Sequence, residues 1–199
     1  MKVDLGHIKF WMDAIRNSND KDRILEAFWG GQLQSKEWLI NSLHPWVQEP
    51  ANITIYGGWV GVLASLLFQS DIPIEKIESV DVDSSCLDVA LTINKLEEIQ
   101  GRFRSVCSPM ETYPNFGKNP IAINTSAEHI TQEVYDRWLN LLLPESLVIV
   151  QSNDYEIREH CRIAKSLNEF KEQCHLQELW SGELILPLYT RYMIIGKNA

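Results

Sequence analysis

The sequence predicts an α/β fold in which helices cover both faces of a mostly parallel, seven-stranded sheet. From residue 52 onward, short β-rich runs alternate with amphipathic helical patterns. Strands that alternate with helices imply a parallel sheet that is covered by helices on both faces. The last two runs have no helix between them, so one of them is expected to run antiparallel to the rest of the sheet.

Length and composition predict one ordinary folded domain. Among the 199 residues, 45% are hydrophobic, 23% are charged and seven are tryptophan, which excludes an aromatic-poor disordered chain. We divide the chain into an N-terminal helical extension over residues 1–50 and a main domain over residues 51–199. No apolar run is long enough to span a bilayer, and the N-terminus has no small-residue cleavage site, so the sequence predicts neither membrane insertion nor secretion.

The net charge of −9 is concentrated in residues 51–100, which hold two basic and eight acidic residues. Nucleic-acid-binding proteins normally carry a basic stripe, because contacts with phosphates supply most of their affinity. This chain has no such stripe. The sequence therefore disfavours a nucleic-acid partner.

The spacing of cysteine and histidine predicts no bound metal. The four cysteines are scattered, without the CxxC pattern, and this predicts reduced thiols in a cytoplasmic protein. His160 and Cys161 lie close in sequence to Glu156 and Glu159, but their spacing matches no standard zinc arrangement. A charged helical surface is the expected role of that segment.

The N-terminal extension contains two predicted helices that pack on the main domain. Asp20 is placed to cap the first, which carries an apolar stripe over residues 24–29 and ends at the glycines 30 and 31. Ser35 is placed to cap the second, which stops before Pro45. We expect the apolar residues of both helices to serve core packing.

The main domain then alternates between strands and helices. Strands are predicted at 53–56, 77–82, 103–107, 120–124, 146–151, 176–180 and 190–196. Residues 60–68 form a helix that is apolar on nearly all sides, and Ser84 or Ser85 is placed to cap the next one. Thr131 begins a clearly amphipathic helix, and Ser166 begins a shorter one, with Glu169 completing a capping box.

The first candidate site is the glycine-rich loop YGGWVG at residues 56–61. It lies between a strand and a buried helix, where the backbone can approach a ligand at the carboxyl edge of the sheet. Asp81 ends the second strand about 20 residues later, where a carboxylate can accept hydrogen bonds from both hydroxyls of a ribose. Together these features predict an adenosine-containing ligand. A tight turn and a helix cap without any ligand remain the alternative.

Two common nucleotide motifs are excluded. A dinucleotide fingerprint ending at Gly61 needs glycine at position 56, which is tyrosine. The chain has no Gly-Lys-Ser or Gly-Lys-Thr, and therefore no P-loop lysine in the usual place. Neither motif therefore identifies the predicted adenosine-containing ligand.

With these motifs, the chain resembles the class I S-adenosylmethionine-dependent methyltransferases over residues 50–197. YGGWVG matches the family's glycine loop, and VDVDSSCLDVA (80–90) matches its ribose-binding acidic segment. INTSAEHI (123–130) matches the fourth-strand motif, and TRYMIIG (190–196) matches the reversed last strand. The resemblance implies a Rossmann-like three-layer sandwich, S-adenosylmethionine as cofactor, and methyl transfer to a small-molecule or protein acceptor.

Three positions depart from the family pattern. Ile55 stands where a carboxylate usually binds the methionine ammonium, and Trp59 replaces the central glycine of the loop. Residues 107–110 lack the acidic residue that often binds the adenine amine. Two alternatives therefore stay open: a non-catalytic adenosyl-binding or partner protein, and an aminocarboxypropyl transferase that uses the same donor.

The resemblance also implies the site residues. His129 is the expected base, since an imidazole ordinarily exchanges a proton near neutrality, and Glu128 is the expected carboxylate for the substrate or for the donor's ammonium. Charging the start of the next helix is the alternative for both. Asn153 and Asp154 are expected to contact substrate, or else to form a turn. The expected cofactor contacts are Tyr56, Gly57, Gly58, Trp59, Gly61, Asp81, Val82, Ser108, Met110, Asn124 and Thr125.

Overall fold

The structure is a computed structural model, and it describes residues 4–198. It confirms the predicted α/β architecture, with one seven-stranded mixed sheet and helices on both faces. The helices are α1 (Leu5–Asn17), α2 (Lys21–Ala27), α3 (Gly30–Leu43), α4 (Val62–Phe68), α5 (Leu87–Ile93), α6 (Lys95–Ile99), α7 (Gln132–Leu141) and α8 (Leu167–Cys174). The strands are β1 (Ala51–Tyr56), β2 (Ile74–Asp81), β3 (Phe103–Cys107), β4 (Pro120–Asn124), β5 (Leu147–Asn153), β6 (Gln177–Ile185) and β7 (Thr190–Lys197).

The strand order is β3-β2-β1-β4-β5-β7-β6. Strands β1 to β5 are parallel, whereas β7 runs antiparallel to both of its neighbours, β5 and β6. The chain builds outward from β1 to β3 and then returns to place β4 on the other side of β1. The strand order therefore reverses between β1 and β4, and ligands bind at such a switch point in open α/β sheets.

Two hydrophobic clusters cover the two faces of the sheet. One joins Ile24 and Leu39 of the N-terminal helices to Ile55 of β1. The other packs Trp138 of α7 against Tyr56, with ring centroids 5.3 Å apart. Adjacent residues of β1 thus serve opposite faces, as the pleat of a strand requires. The N-terminal helices share their core with the sheet.

The structure corrects the predicted start of the second N-terminal helix. Asp20 caps α2 as predicted, because its carboxylate accepts a hydrogen bond from the Arg23 N–H at 3.2 Å. The prediction of Ser35 as a cap was wrong: α3 already begins at Gly30. Ser35 is buried within α3, where its hydroxyl donates to Gln151 of β5 at 3.1 Å.

Most other elements lie where the sequence predicts them. The third and fourth strands have the predicted bounds, and the Thr131 hydroxyl caps α7 by accepting from the Val134 N–H at 3.3 Å. Neither Ser84 nor Ser85 caps α5, whose N-cap is Cys86. Asp83 instead caps the short 3-10 helix (Ser84–Cys86) that leads into α5, since its carboxylate accepts from the Ser85 N–H at 2.9 Å. None of the helices in residues 4–198 has both the length and the apolar character that crossing a membrane requires.

Candidate functional site

A cavity of about 800 Å³ lies at the carboxyl edge of the sheet, where the strand order reverses. The glycine loop after β1 and the residues that follow β2 and β4 form much of its wall. Two residues of the N-terminal helices, Arg23 of α2 and Lys36 of α3, also line it. This volume is in the range of sites that bury a small ligand.

The cavity brings together residues from four separate parts of the sequence. Among the residues predicted as site residues, those that line it are Gly57, Gly58, Trp59, Asp81, Val82, Ser108, Met110, Thr125, Glu128 and His129. They come from the loop after β1, the end of β2, the segment after β3, and the turn after β4. Parallel strands place these segments at one edge because their carboxyl ends coincide.

Five predicted residues lie outside the cavity wall. Tyr56 is fully buried and donates its hydroxyl to the Tyr113 carbonyl at 3.0 Å. Gly61 is the N-cap of α4, with a φ of 78° and the Ala90 side chain directly beside it. Asn124 is fully buried, and its side-chain oxygen accepts from the Ser126 N–H at 2.9 Å.

The other two, Asn153 and Asp154, hold neighbouring parts of the chain in place. Asn153 is the last residue of β5 and not part of a loop, and its amide donates to Glu128 Oε1 at 2.6 Å. Asp154 accepts from the Thr190 N–H at 2.8 Å and so joins the segment after β5 to the start of β7. Both side chains thus make structural contacts, and neither lines the cavity.

Asp81 is held by the backbone on both sides. Its Oδ2 accepts from the Trp59 N–H at 2.8 Å, and its Oδ1 accepts from the Asp83 N–H at 3.0 Å. Each carboxylate oxygen can accept more than one hydrogen bond. The carboxylate is therefore oriented, and it retains acceptor capacity for ligand hydroxyls at the cavity wall.

Glycine is required in the loop for packing reasons. A Cβ on Gly58 would lie 1.9 Å from the Ser79 hydroxyl oxygen of β2, and one on Gly57 would lie 3.1 Å from that of Ser126. Trp59 adopts a left-handed backbone conformation with a φ of 48°, which residues other than glycine rarely adopt. Its partly buried indole packs against the core and also borders the cavity.

Glu128 is a buried acid in the turn after β4. Its carboxylate Oε1 accepts from Asn153 and lies 3.6 Å from the guanidinium of Arg191, which supplies the compensating positive charge. Arg191 also donates to Gln151 at 3.2 Å and to the Thr125 carbonyl. Glu128 Oε2 is buried without a hydrogen-bond partner among residues 4–198.

His129 lies at the exposed edge of the cavity. Its Nδ1 is 3.3 Å from the Glu159 carbonyl oxygen, and its ring meets that of His160 edge to face, with centroids 4.6 Å apart. An imidazole that donates from Nδ1 to a carbonyl keeps the lone pair of Nε2. The available nitrogen of His129 is therefore Nε2.

Lys36 is a cavity residue that the sequence analysis missed. Its ammonium donates to the Gln32 side chain at 2.9 Å, one turn earlier on α3. Burial, and secondarily the positive charge of Arg191, lowers the pKa of Lys36 to about 7. In the sequence, the signal for this residue is a glutamine and a lysine four residues apart on a predicted core-facing helix. That spacing is too common to identify a binding site.

No protein-family model and no curated protein sequence matches the chain, whereas many solved structures match its fold. The N-methyltransferase NodS from Bradyrhizobium japonicum WM9, solved with S-adenosyl-L-homocysteine, has a TM-score of 0.64 at 9% identity, covering 94% of this chain and 98% of that one. A geranyl diphosphate methyltransferase in complex with SAM has a TM-score of 0.65 at 12% identity, covering 94% and 95%.

A protein with a different activity in its name also matches. The [4+2]-cyclase SpnF has a TM-score of 0.66 at 11% identity, covering 83% of this chain and 82% of that one. At such identities the likeness is one of fold, and a fold by itself does not fix a reaction. The sheet order, the reversed β7 and these neighbours together show that the chain has the class I methyltransferase fold.

Proposed function

We propose that the chain binds S-adenosylmethionine in this cavity and transfers its methyl group to an acceptor beside Glu128 and His129. One observation carries the proposal: a single cavity joins the glycine loop and Asp81 to that polar pair. Neighbours of the same fold that are named as methyltransferases and solved with S-adenosylmethionine or its product support it.

The described residues fit an adenosyl cofactor. Asp81 retains acceptor capacity for the two ribose hydroxyls. Val82, next to it, is 70% exposed and offers an apolar surface on which adenine can pack. Gly57 and Gly58 line the wall, where the methionine part of the cofactor can approach their backbone.

The protein's part in the reaction is alignment and exclusion of water. S-adenosylmethionine supplies a methyl group that is already activated, so that orientation of the acceptor contributes much of the catalysis. We propose that His129 takes the acceptor's proton at Nε2. Glu128, fixed by Asn153 and Arg191, is proposed to contact the acceptor.

The proposed acceptor is a small molecule or a protein side chain. The net charge of −9 disfavours a bulky polyanion, because like charges repel during approach. A cytoplasmic location is also part of the proposal, and it rests on four free cysteines.

A second candidate is adenosyl-ligand binding without methyl transfer. It is favoured by the Trp59 indole, which borders the cavity where the family pattern has glycine, and by Ile55 in place of a carboxylate. This candidate keeps the same pocket and the same role for Asp81.

Calorimetry followed by product analysis separates the candidates. Binding of S-adenosylmethionine, with formation of S-adenosylhomocysteine on an acceptor panel, is the expected result. Binding without turnover over a broad panel supports the second candidate. Formation of methylthioadenosine would instead identify aminocarboxypropyl transfer. If neither S-adenosylmethionine nor S-adenosylhomocysteine binds, both methyl transfer and aminocarboxypropyl transfer are overturned.

A further inference from the structure

We propose that Glu128, His129 and His160 form a binding site for a divalent transition-metal ion at the edge of the cavity. One potential ligand atom of each residue lies within 4.8 Å of the others. Two of the three residues, Glu128 and His129, also line the cavity. The ion would therefore lie beside the space proposed for the acceptor.

Backbone hydrogen bonds bring the three residues together. Glu128 and His129 belong to the short turn after β4, and His160 lies 31 residues beyond His129 in the segment after β5. The N–H groups of Cys161 and Arg162 both donate to the Glu128 carbonyl, at 2.9 and 3.1 Å. The residue that follows His160 is thus tied directly to Glu128.

Both histidines have the orientation typical of metal ligands. His160 Nδ1 is 2.6 Å from the Tyr155 carbonyl oxygen, and His129 Nδ1 is 3.3 Å from that of Glu159. Metal-bound histidines commonly donate one ring N–H to a carbonyl, which fixes the ring and leaves the other nitrogen for the metal. Here Nε2 of each ring is the available ligand atom.

Glu128 supplies the second, independent observation. The residue is 3% exposed, and its Oε2 has no hydrogen-bond partner among the described residues. A buried carboxylate oxygen without a partner is costly to the folded state, and a cation at the cavity wall would satisfy it. Asn153 holds the other oxygen, which orients the carboxylate.

The donor set selects the class of ion. Two imidazoles and one carboxylate are typical ligands of catalytic Zn²⁺ and of non-haem Fe²⁺, whereas Ca²⁺ and Mg²⁺ prefer all-oxygen sites. Ligands about 2.1 Å from Zn²⁺ lie roughly 3.4 Å apart, so binding draws the three donors closer together. The exposed His129 ring has room to make this movement.

Three protein ligands leave at least one coordination position for water or for a substrate oxygen. If the proposed function holds, that position favours an acceptor with a hydroxyl or carbonyl oxygen. The base role proposed for His129 then applies only to the metal-free chain, because a nitrogen bound to a metal ion does not take a proton.

The test uses the full chain without an affinity tag, freed of metal with a chelator. Zn²⁺ titrated by calorimetry is expected to bind once per chain with micromolar or tighter affinity, and Co²⁺ is expected to give the visible absorption of a low-symmetry site. His160→Ala and Glu128→Gln should each weaken Zn²⁺ binding by roughly a hundredfold, since losing a ligand costs at least as much as losing its support. His44→Ala, an exposed histidine outside the cavity wall, is the matched control.

Circular dichroism establishes whether each variant is folded. If Glu128→Gln does not fold, the result for His160→Ala alone decides the test. The proposal is overturned if the wild-type chain fails to bind Zn²⁺, or if His160→Ala binds it as the wild type does. Calorimetry with S-adenosylmethionine on the same samples keeps the two proposals separate. Zn²⁺ binding without S-adenosylmethionine binding rejects the proposed function and leaves the metal site standing, and the converse result rejects only the metal site.

Discussion

The main-chain N–H of Trp59 donates to Asp81 Oδ2 at 2.8 Å. The two halves of the motif that predicts an adenosyl ligand are therefore bonded to each other, although 22 residues separate them. The carboxylate orients the glycine loop, and the loop orients the carboxylate. Changing either residue is expected to alter both parts of the pocket.

Asp81→Ala should weaken binding of S-adenosylmethionine by about 1.5 to 3 kcal/mol, or roughly 10- to 150-fold, because hydrogen bonds to a charged acceptor are lost. Calorimetry measures the change. Asp88→Ala, an exposed aspartate on α5, should leave the affinity unchanged. Equal affinities of the Asp81 variant and the wild type would show that the carboxylate does not hold the ligand.

Arg191→Met should destabilise the fold by about 3 to 5 kcal/mol, because it leaves the buried charge of Glu128 without its partner. Urea unfolding measures this loss. Adding Glu128→Gln to the Arg191 variant should recover part of the stability, since the unpaired charge is then removed. If the double variant is less stable than the single one, the two side chains do not compensate each other's charge.

Gly61→Ala should lower the free energy of unfolding by about 2 kcal/mol or more. Gly61 has a φ of 78°, and an added Cβ would lie 3.0 Å from the Ala90 side chain and 3.1 Å from its Cα. Gly30→Ala is the control, because no atom lies within 4 Å of its Cβ position, and it should change stability by less than about 0.5 kcal/mol. Chemical denaturation of both variants provides the comparison.

Lys36→Met should stabilise the chain at pH 7, and the gain should fade toward pH 10. Burial lowers the pKa of Lys36 from 10.5 to about 7, so between these values the unfolded chain binds more protons than the folded one. The wild type therefore gains stability as pH rises through this window, and the variant lacks that gain.

The expected difference for Lys36→Met is about 1 to 2 kcal/mol at pH 7, less than the full shift in pKa implies, because the side chain is only partly buried and solvent screens it. Urea unfolding at pH 7 and pH 10 measures it. Lys21→Met, on the exposed side of α2, should show no such dependence. A gain that is equal at both pH values would contradict the shifted pKa.

Local sequence signals predict the sheet well because strand, loop and helix patterns are short-range. The bounds of β3 and β4 and the caps at Asp20 and Thr131 follow directly from residue type and order. The start of α3 does not, because the role of Ser35 depends on Gln151, a residue 116 positions away that becomes its partner only in the folded chain. Two adjacent glycines read as a helix end are, in this fold, a helix start.

The candidate site also contains residues that the sequence predicts and residues that only the folded structure reveals. The glycine loop, Asp81 and the Glu128–His129 pair lie at or just after the carboxyl ends of strands, so the sequence places them at one edge of the sheet. Lys36 and His160 reach this edge through packing of α3 and through hydrogen bonds of the segment after β5. No rule of sequence spacing connects residues that tertiary packing brings together. For this reason the spacing of metal-ligating residues along the chain does not predict a metal site at His160.

Ala27 of α2 belongs to the hydrophobic core and also lines the cavity. A compound that binds against this wall consequently binds the folded chain and not the unfolded one. Its binding therefore increases the free energy of unfolding of the whole chain by mass action. The melting temperature can therefore serve as a chemistry-independent readout for discovering the acceptor, since a bound candidate raises it whether or not turnover takes place.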